Sequence, residues 1–285
     1  MKKELTGVFE KGSTHWVGDG FHVRNLFPSN GLEDEVSPFL MLDYAGPTVF
    51  KPGAPRGVGE HPHRGFETVT LAYQGSIAHR DSGGHAGVIH PGDVQWMTAA
   101  SGVVHEEKQE QEFARQGGTL EMVQLWVNLP SAFKMSPPRY QSLTKERIPV
   151  VELEGATLRI VAGEYKGTRG PANTFTPVNL FDVRLQAGGR VELELPDGFN
   201  TAVVLLNGDV LVNGQHPLAG EAKIATFDPK GTEVVLEAKQ ASTLLVLNGE
   251  PIREPVASYG PFVMNTQSEL RQAVEDYRAG RMGHL

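Results

Sequence analysis

Cysteine is absent from all 285 residues. That excludes disulfides, thiolate metal sites and a cysteine nucleophile, and it leaves the redox compartment open. Long apolar runs are missing too. The longest candidates, 202–206 and 244–247, are far shorter than a membrane span. The opening MKKELTGVFE carries two lysines with no apolar stretch behind them, so no secretory signal or membrane anchor is expected and the cytoplasm is the expected compartment. Lysine and arginine form no block, and the formal charge is −8. Direct nucleic-acid binding through phosphate neutralisation is therefore disfavoured. There is also no βαβ pattern and no phosphate-binding glycine loop.

Glycine (33) and proline (19) are plentiful without any low-complexity tract. This suits many short strands joined by tight turns, and so an all-β chain. In the first half, runs 68–73, 87–90, 94–97 and 122–127 read as strands, separated by turn residues at 74–75, 82–84 and 91–93. A second set covers 157–161, 179–185, 190–195, 202–206, 210–212, 223–227, 233–237 and 242–247. Asn-Gly pairs at 207–208, 213–214 and 248–249 are expected at hairpin turns or strand ends. The proline-bearing stretch 128–149 separates the two sets, giving expected domains of 1–135 and 136–285. One helix is expected at the end, where Thr266 and Glu269 have the form of a capping box and good helix formers run to Arg278.

Six of the ten histidines fall between positions 61 and 105. Two pairs among these residues carry chemistry: His61-Pro62-His63 and His105-Glu106-Glu107. In extended chain, side chains two apart share a face with Cα atoms roughly 6.5 Å apart. Each pair can therefore converge on one ion. Three imidazoles and a carboxylate suit one divalent Fe, Mn, Ni, Cu or Zn and leave positions for water or substrate. Pro62 belongs at a strand start or edge. Glu67 lies four residues after His63 and would share the ligand face in a regular strand, but a salt bridge or a supporting hydrogen bond behind the ligands is the favoured reading. His79, His85 and His90 are expected at exposed turn and strand positions. The second half offers only His216 internally and no comparable pair, so one metal per chain is expected.

The runs HPHRGFETVT (61–70), DSGGHAGVIHPGDVQWMTAASGVVHEE (81–107), QLWVNLP (124–130) and NGEPIREPVASYGPFVMNT (248–266) resemble the pirin family of bicupins. The resemblance covers almost the whole chain. It implies two cupin, jelly-roll-like barrels packed face to face, with one metal, usually iron, in the N-terminal barrel. The family's ligands fall on His61, His63, His105 and Glu107. Many other cupins use a glutamate near Glu67 instead. Ala100 stands where the family often has glycine, and Glu106 where a small polar residue is common. Neither departure removes a ligand.

The resemblance further implies a metal-dependent oxidoreductase, a dioxygenase of the quercetin 2,3-dioxygenase (quercetinase) type. It would take a flavonol-like aromatic substrate and O2, and cleave the ring with release of carbon monoxide. Glu107 is the candidate catalytic base as well as a ligand, and Phe66, Trp96 and Met97 are candidate pocket walls. The alternative within the family is a non-catalytic, iron-binding regulatory protein that acts through a protein partner. A zinc isomerase of sugar phosphates would need cations near the metal, for which Arg64 and Arg80 are the candidates.

Overall fold

Side-chain alternation sets the strands. In Arg190–Glu194 the valine and leucine are buried while the three charged residues face out, and Arg190 Nε donates across to Glu237 Oε1 at 3.1 Å. Such pairs fix register, because a one-residue slip would turn Val191 and Leu193 to solvent. The computed structural model describes residues 1–10, 14–28 and 30–285. Strand makes up 57% of the described residues and helix 9%. The all-β expectation holds, and the chain builds two cupin barrels. Among the described residues no helix is long and apolar enough to cross a membrane.

Each compact unit is assembled from separate stretches of chain. The C-terminal barrel comprises Met1–Ser13, Asn25–Leu40 and Glu146–Pro251; the N-terminal barrel comprises Thr14–Arg24, Met41–Lys145 and Ile252–Leu285. Relative to a single division at 135/136, four stretches (1–13, 25–40, 136–145 and 252–285) cluster with the other unit. The first strand, Leu5–Glu10, pairs with His216–Phe227 of the C-terminal barrel, and the buried Lys3 Nζ donates to Pro229 O (2.6 Å) and Phe199 O (3.1 Å). Past residue 135, Arg139–Leu143 still pairs with Val94–Thr98. The last thirty-odd residues return to the N-terminal barrel.

The C-terminal barrel is an eight-stranded antiparallel sheet around an apolar core that includes Leu158, Ile160, Phe181, Val203, Leu205 and Leu236. Its hairpin at 213–214 has both residues at positive φ, +54° and +74°, as an Asn-Gly turn between twisted strands requires. The pair at 207–208 is different. It lies inside the strand Asn200–Val212, where the register shifts on both sides of Asn207. This is a bulge, neither a turn nor a strand end.

In the N-terminal barrel a seven-stranded sheet and a four-stranded sheet form. The four-stranded sheet runs Gly57–His63, Val103–Gln109, Ile77–Asp81, Ala86–Ile89 in spatial order. Pro62 thus sits on an edge strand, where its missing N–H costs no ladder bond. After His63 the chain turns at Gly65 (φ +91°), where an added Cβ would meet the Val263 carbonyl oxygen at 1.9 Å. The helix Gln267–Arg278 is capped by Thr266, whose hydroxyl accepts from the Glu269 N–H. Glu269 in turn takes the Thr266 hydroxyl proton at 2.9 Å. Leu270 and Ala273 pack with Phe262, Met264 and Val104, and Arg64 Nη1 reaches Asp276 Oδ2 at 2.6 Å.

Candidate metal centre

His61 and His105 face each other across the ladder between Gly57–His63 and Val103–Gln109, and His63 lies opposite Val103. Alternation turns His105 and Glu107 inward and leaves Glu106 half-buried, paired with Arg80 and Lys108. The ring centroids of His61, His63 and His105 lie 4.3 to 4.8 Å apart, and one nitrogen from each falls within 4.8 Å of the others. The His-x-His strand and the His-x-Glu strand are therefore ladder neighbours, with three imidazoles brought together.

The nitrogens can be assigned. His61 Nδ1 donates to Gly59 O at 2.8 Å, which leaves Nε2 with a lone pair. That Nε2 lies 2.8 Å from His105 Nε2. Burial, then the neighbouring His61, holds His63 well below the usual imidazole range, with the Pro261 carbonyl opposing weakly. Burial, then His63, His61 and His79, does the same to His105. Both rings are therefore neutral near pH 7, the form that binds metals. His63 Nδ1 is buried without a well-formed hydrogen bond.

These residues fit a divalent first-row ion. Two nitrogens bound at right angles to one ion, each roughly 2.0–2.1 Å from it, are about 2.9 Å apart, close to the 2.8 Å between His61 and His105. Without a proton or cation between them, two lone pairs at that distance repel.

Glu107 is placed differently from the three histidines. Its donor atom groups with His105 and His79. Gln95 Nε2 donates to its Oε1 at 3.1 Å and Gln124 Nε2 to its Oε2 at 3.4 Å. The Thr70 hydroxyl, 3.1 Å from Oε1, shares its proton with Gln124 Oε1 at 2.7 Å. The expectation for His79 is corrected: alternation in Ile77–Asp81 buries Ile77, His79 and Asp81, and His79 is only 3% exposed. His79 Nε2 faces Asp81 Oδ2 at 3.2 Å. Burial disfavours the charged form of Asp81, but hydrogen bonds from His79 and His85 outweigh it and keep the carboxyl below its ordinary range. His85 has a part-exposed side chain, and His90 is exposed.

A cavity of about 360 Å³ opens on His61, His63 and Glu107. Its walls include Phe21, Val23, Met41, Met122 and Trp126, with Asp43 and Gln124 as polar members. The expected wall residues Phe66, Trp96 and Met97 are not among them. Phe66 lies behind the wall, its ring 4.2 Å from that of Trp126 and 5.1 Å from that of His63. Trp96 follows Gln95 along the strand and so faces the opposite side of the sheet. Met97 packs with Val103 and Tyr140. No arginine or lysine lines the cavity among the described residues; Arg64 and Arg80 pair instead with Asp276 and Glu106.

Glu67 does not share the ligand face, because the turn at Arg64 and Gly65 resets the alternation. Its Oε1 accepts from Thr98 Oγ1 at 2.6 Å and lies 3.7 Å from Arg139 Nη2. Burial pushes the carboxyl up from 4.5 to about 7, against the Thr98 hydrogen bond and the Arg139 charge. A carboxyl raised in the fold contributes its stability fully below the unfolded value, and loses it as pH rises through the folded value. Between about pH 5 and pH 8 the wild type is expected to lose about 2.5 kcal/mol more unfolding free energy than Glu67→Gln. Urea unfolding of both proteins across that range checks this, and parallel curves would refute it.

Comparison with known proteins agrees with this architecture. Two family profiles match: Pirin over residues 20–127 and Pirin C-terminal cupin domain over residues 180–283. A Pseudomonas aeruginosa protein provisionally named a quercetin 2,3-dioxygenase is 53% identical over 284 residues, 99% of this chain and 98% of its own. Human pirin is 38% identical over 289 residues, covering 99% and 94%. A 1.88 Å crystal structure of quercetin 2,3-dioxygenase from Acinetobacter baumannii aligns with a TM-score of 0.96 at 48% identity, covering 99% of each chain. With both barrels matched and the motifs at 61–70 and 81–107 in place, the chain belongs to the pirin family.

Proposed function

We propose that the protein is a metal-dependent dioxygenase of the quercetin 2,3-dioxygenase type, taking a flavonol-like substrate and O2 at one mononuclear centre. The observation that carries this reading is a largely apolar cavity of about 360 Å³ with imidazoles and a carboxylate at its wall. His61, His63, His105 and Glu107 would hold the ion. When bound, a divalent ion (iron by family usage, with Mn, Ni, Cu or Zn chemically acceptable) supplies open positions and a Lewis acid that eases loss of a flavonol hydroxyl proton.

The chain's own residues supply the rest. Phe21, Met41, Met122 and Trp126 offer apolar surface to an aromatic ring system and keep water from it. Glu107, an acceptor held by Gln95 and Gln124, is the group to receive the hydroxyl proton, provided the substrate oxygen comes within hydrogen-bond reach. The names of the Pseudomonas and Acinetobacter relatives support the same activity.

Human pirin, at 38% identity, keeps a second reading in play: an iron-binding regulatory protein that acts through a protein partner. Oxygen uptake and loss of flavonol absorbance, measured with iron-loaded protein against the metal-free form, separate the two. Metal-dependent turnover of at least one flavonol is expected. Its absence across a panel of flavonols would leave the interaction reading.

A further inference from the structure

Behind His105 lies a chain of polar side chains that the proposed chemistry does not use. His105 Nδ1 is 3.4 Å from His79 Nδ1, and His79 Nε2 is 3.2 Å from Asp81 Oδ2. Asp81 is anchored from the other side, its Oδ1 accepting from the N–H groups of Gly83 (2.8 Å) and His85 (3.1 Å). Tyr140 stacks on His79, with ring centroids 5.1 Å apart.

The direction of each hydrogen bond follows from what each group can do. An ionised carboxylate only accepts, so His79 must present Nε2–H to Asp81, and its Nδ1 is then bare. A second donor agrees. Gln95 must turn its nitrogen toward the Glu107 carboxylate, 3.1 Å away, and the same amide nitrogen lies 3.4 Å from His79 Nδ1. Its oxygen meanwhile accepts from the Tyr140 hydroxyl at 3.2 Å. With His79 Nδ1 an acceptor, a hydrogen bond between it and the facing His105 Nδ1 needs His105 as the donor. The competing arrangement is real: His61 Nε2 is also bare and 2.8 Å from His105 Nε2, so it would draw the His105 proton to Nε2 and close the metal face.

We propose that His79 and Asp81 are positioning residues that settle this competition, holding the His105 proton on Nδ1 and its lone pair on Nε2, toward the metal position. The inference rests on the reading of His105 as a ligand. A proton donated behind the ring also strengthens the nitrogen in front, and loss of such a partner typically weakens metal affinity about 10–100-fold.

Long-range 15N–1H correlation spectra of the metal-free wild type test the tautomer with no metal present. His105 is expected to show a protonated Nδ1 and an unprotonated Nε2. In His79→Phe, which keeps a ring against Tyr140 but offers no acceptor, the proton should move to Nε2. The dissociation constant for Ni2+, measured by chelator competition, should rise about 10–100-fold. His79→Gln returns a carbonyl acceptor and should recover most of that loss, which a general packing defect would not. A wild-type His105 protonated mainly on Nε2, or a His79→Phe variant binding Ni2+ as tightly as wild type, would overturn the proposal. If His79→Phe does not fold, the wild-type spectrum and His79→Gln still decide. Wild type that binds no Ni2+ would instead remove the metal reading and leave the tautomer to the spectrum.

Discussion

Replacing His105 by alanine is expected to empty the metal centre. His105 belongs to both groups of converging donor atoms, one with His61 and His63 and one with His79 and Glu107. Apparent metal affinities of roughly 10–16 kcal/mol spread over four ligands give about 3 kcal/mol for each, or about 100-fold or more in binding. Wild type dialysed against a weak chelator should keep one ion per chain, and His105→Ala less than about a tenth of that. Flavonol turnover should fall in step. His216→Ala is the control, an exposed histidine where the strand His216–Phe227 begins in the other barrel. It should match wild type. His105→Ala with a full complement of metal would mean that the imidazole cluster is not the site.

The His-x-His and His-x-Glu pairs were legible as face-sharing positions because alternation is local. In strands, positions 61, 63, 105 and 107 need only period-two geometry to share faces, and the ladder that brings His61 opposite His105 completes the cluster. Glu67, favoured from the sequence as an ion-paired or hydrogen-bonded group over a ligand, makes such contacts, and only its place on the ligand face fails, again for a local reason. Counting by twos from His63 assumes one continuous strand, but Gly65 at positive φ breaks it, and Glu67 ends against Thr98 and Arg139. His79 was missed because Ile77–Asp81 is short and polar. Its alternation becomes visible only when Asp81 is seen as an inward partner.

The cavity walls were the least legible feature. Phe21 and Val23 come from a strand far upstream, Met41 from the next, and Met122 and Trp126 from a strand on the other side of the ligand motif in sequence. What joins them is the strand order of the seven-stranded sheet, a long-range property that no local pattern encodes. Phe21–Phe27 does alternate in burial at its start, so a core strand there could have been read from FHVRNLF. The interleaved units were hidden in the same way, since the terminal segments join barrels distant in sequence.

Glu107→Gln is the second large effect expected, and it separates the two roles assigned to this residue. Glutamine keeps the shape but puts an amide where Gln95 and Gln124 both donate, and it can neither carry the charge nor take a proton. If Glu107 served only to hold the ion, metal content and turnover would fall together and activity per bound ion would stay near wild type. If it accepts the flavonol proton, activity per bound ion should drop by about 10²–10⁴-fold. The loss should lie in kcat, because Phe21, Met122 and Trp126 still bind the rings. Measuring bound metal and kcat on the same samples, with flavonol affinity from the shift of its absorbance, tells these apart. Unchanged turnover per ion would leave Glu107 a ligand alone and send the search for the base to the remaining acidic group on the cavity wall, Asp43.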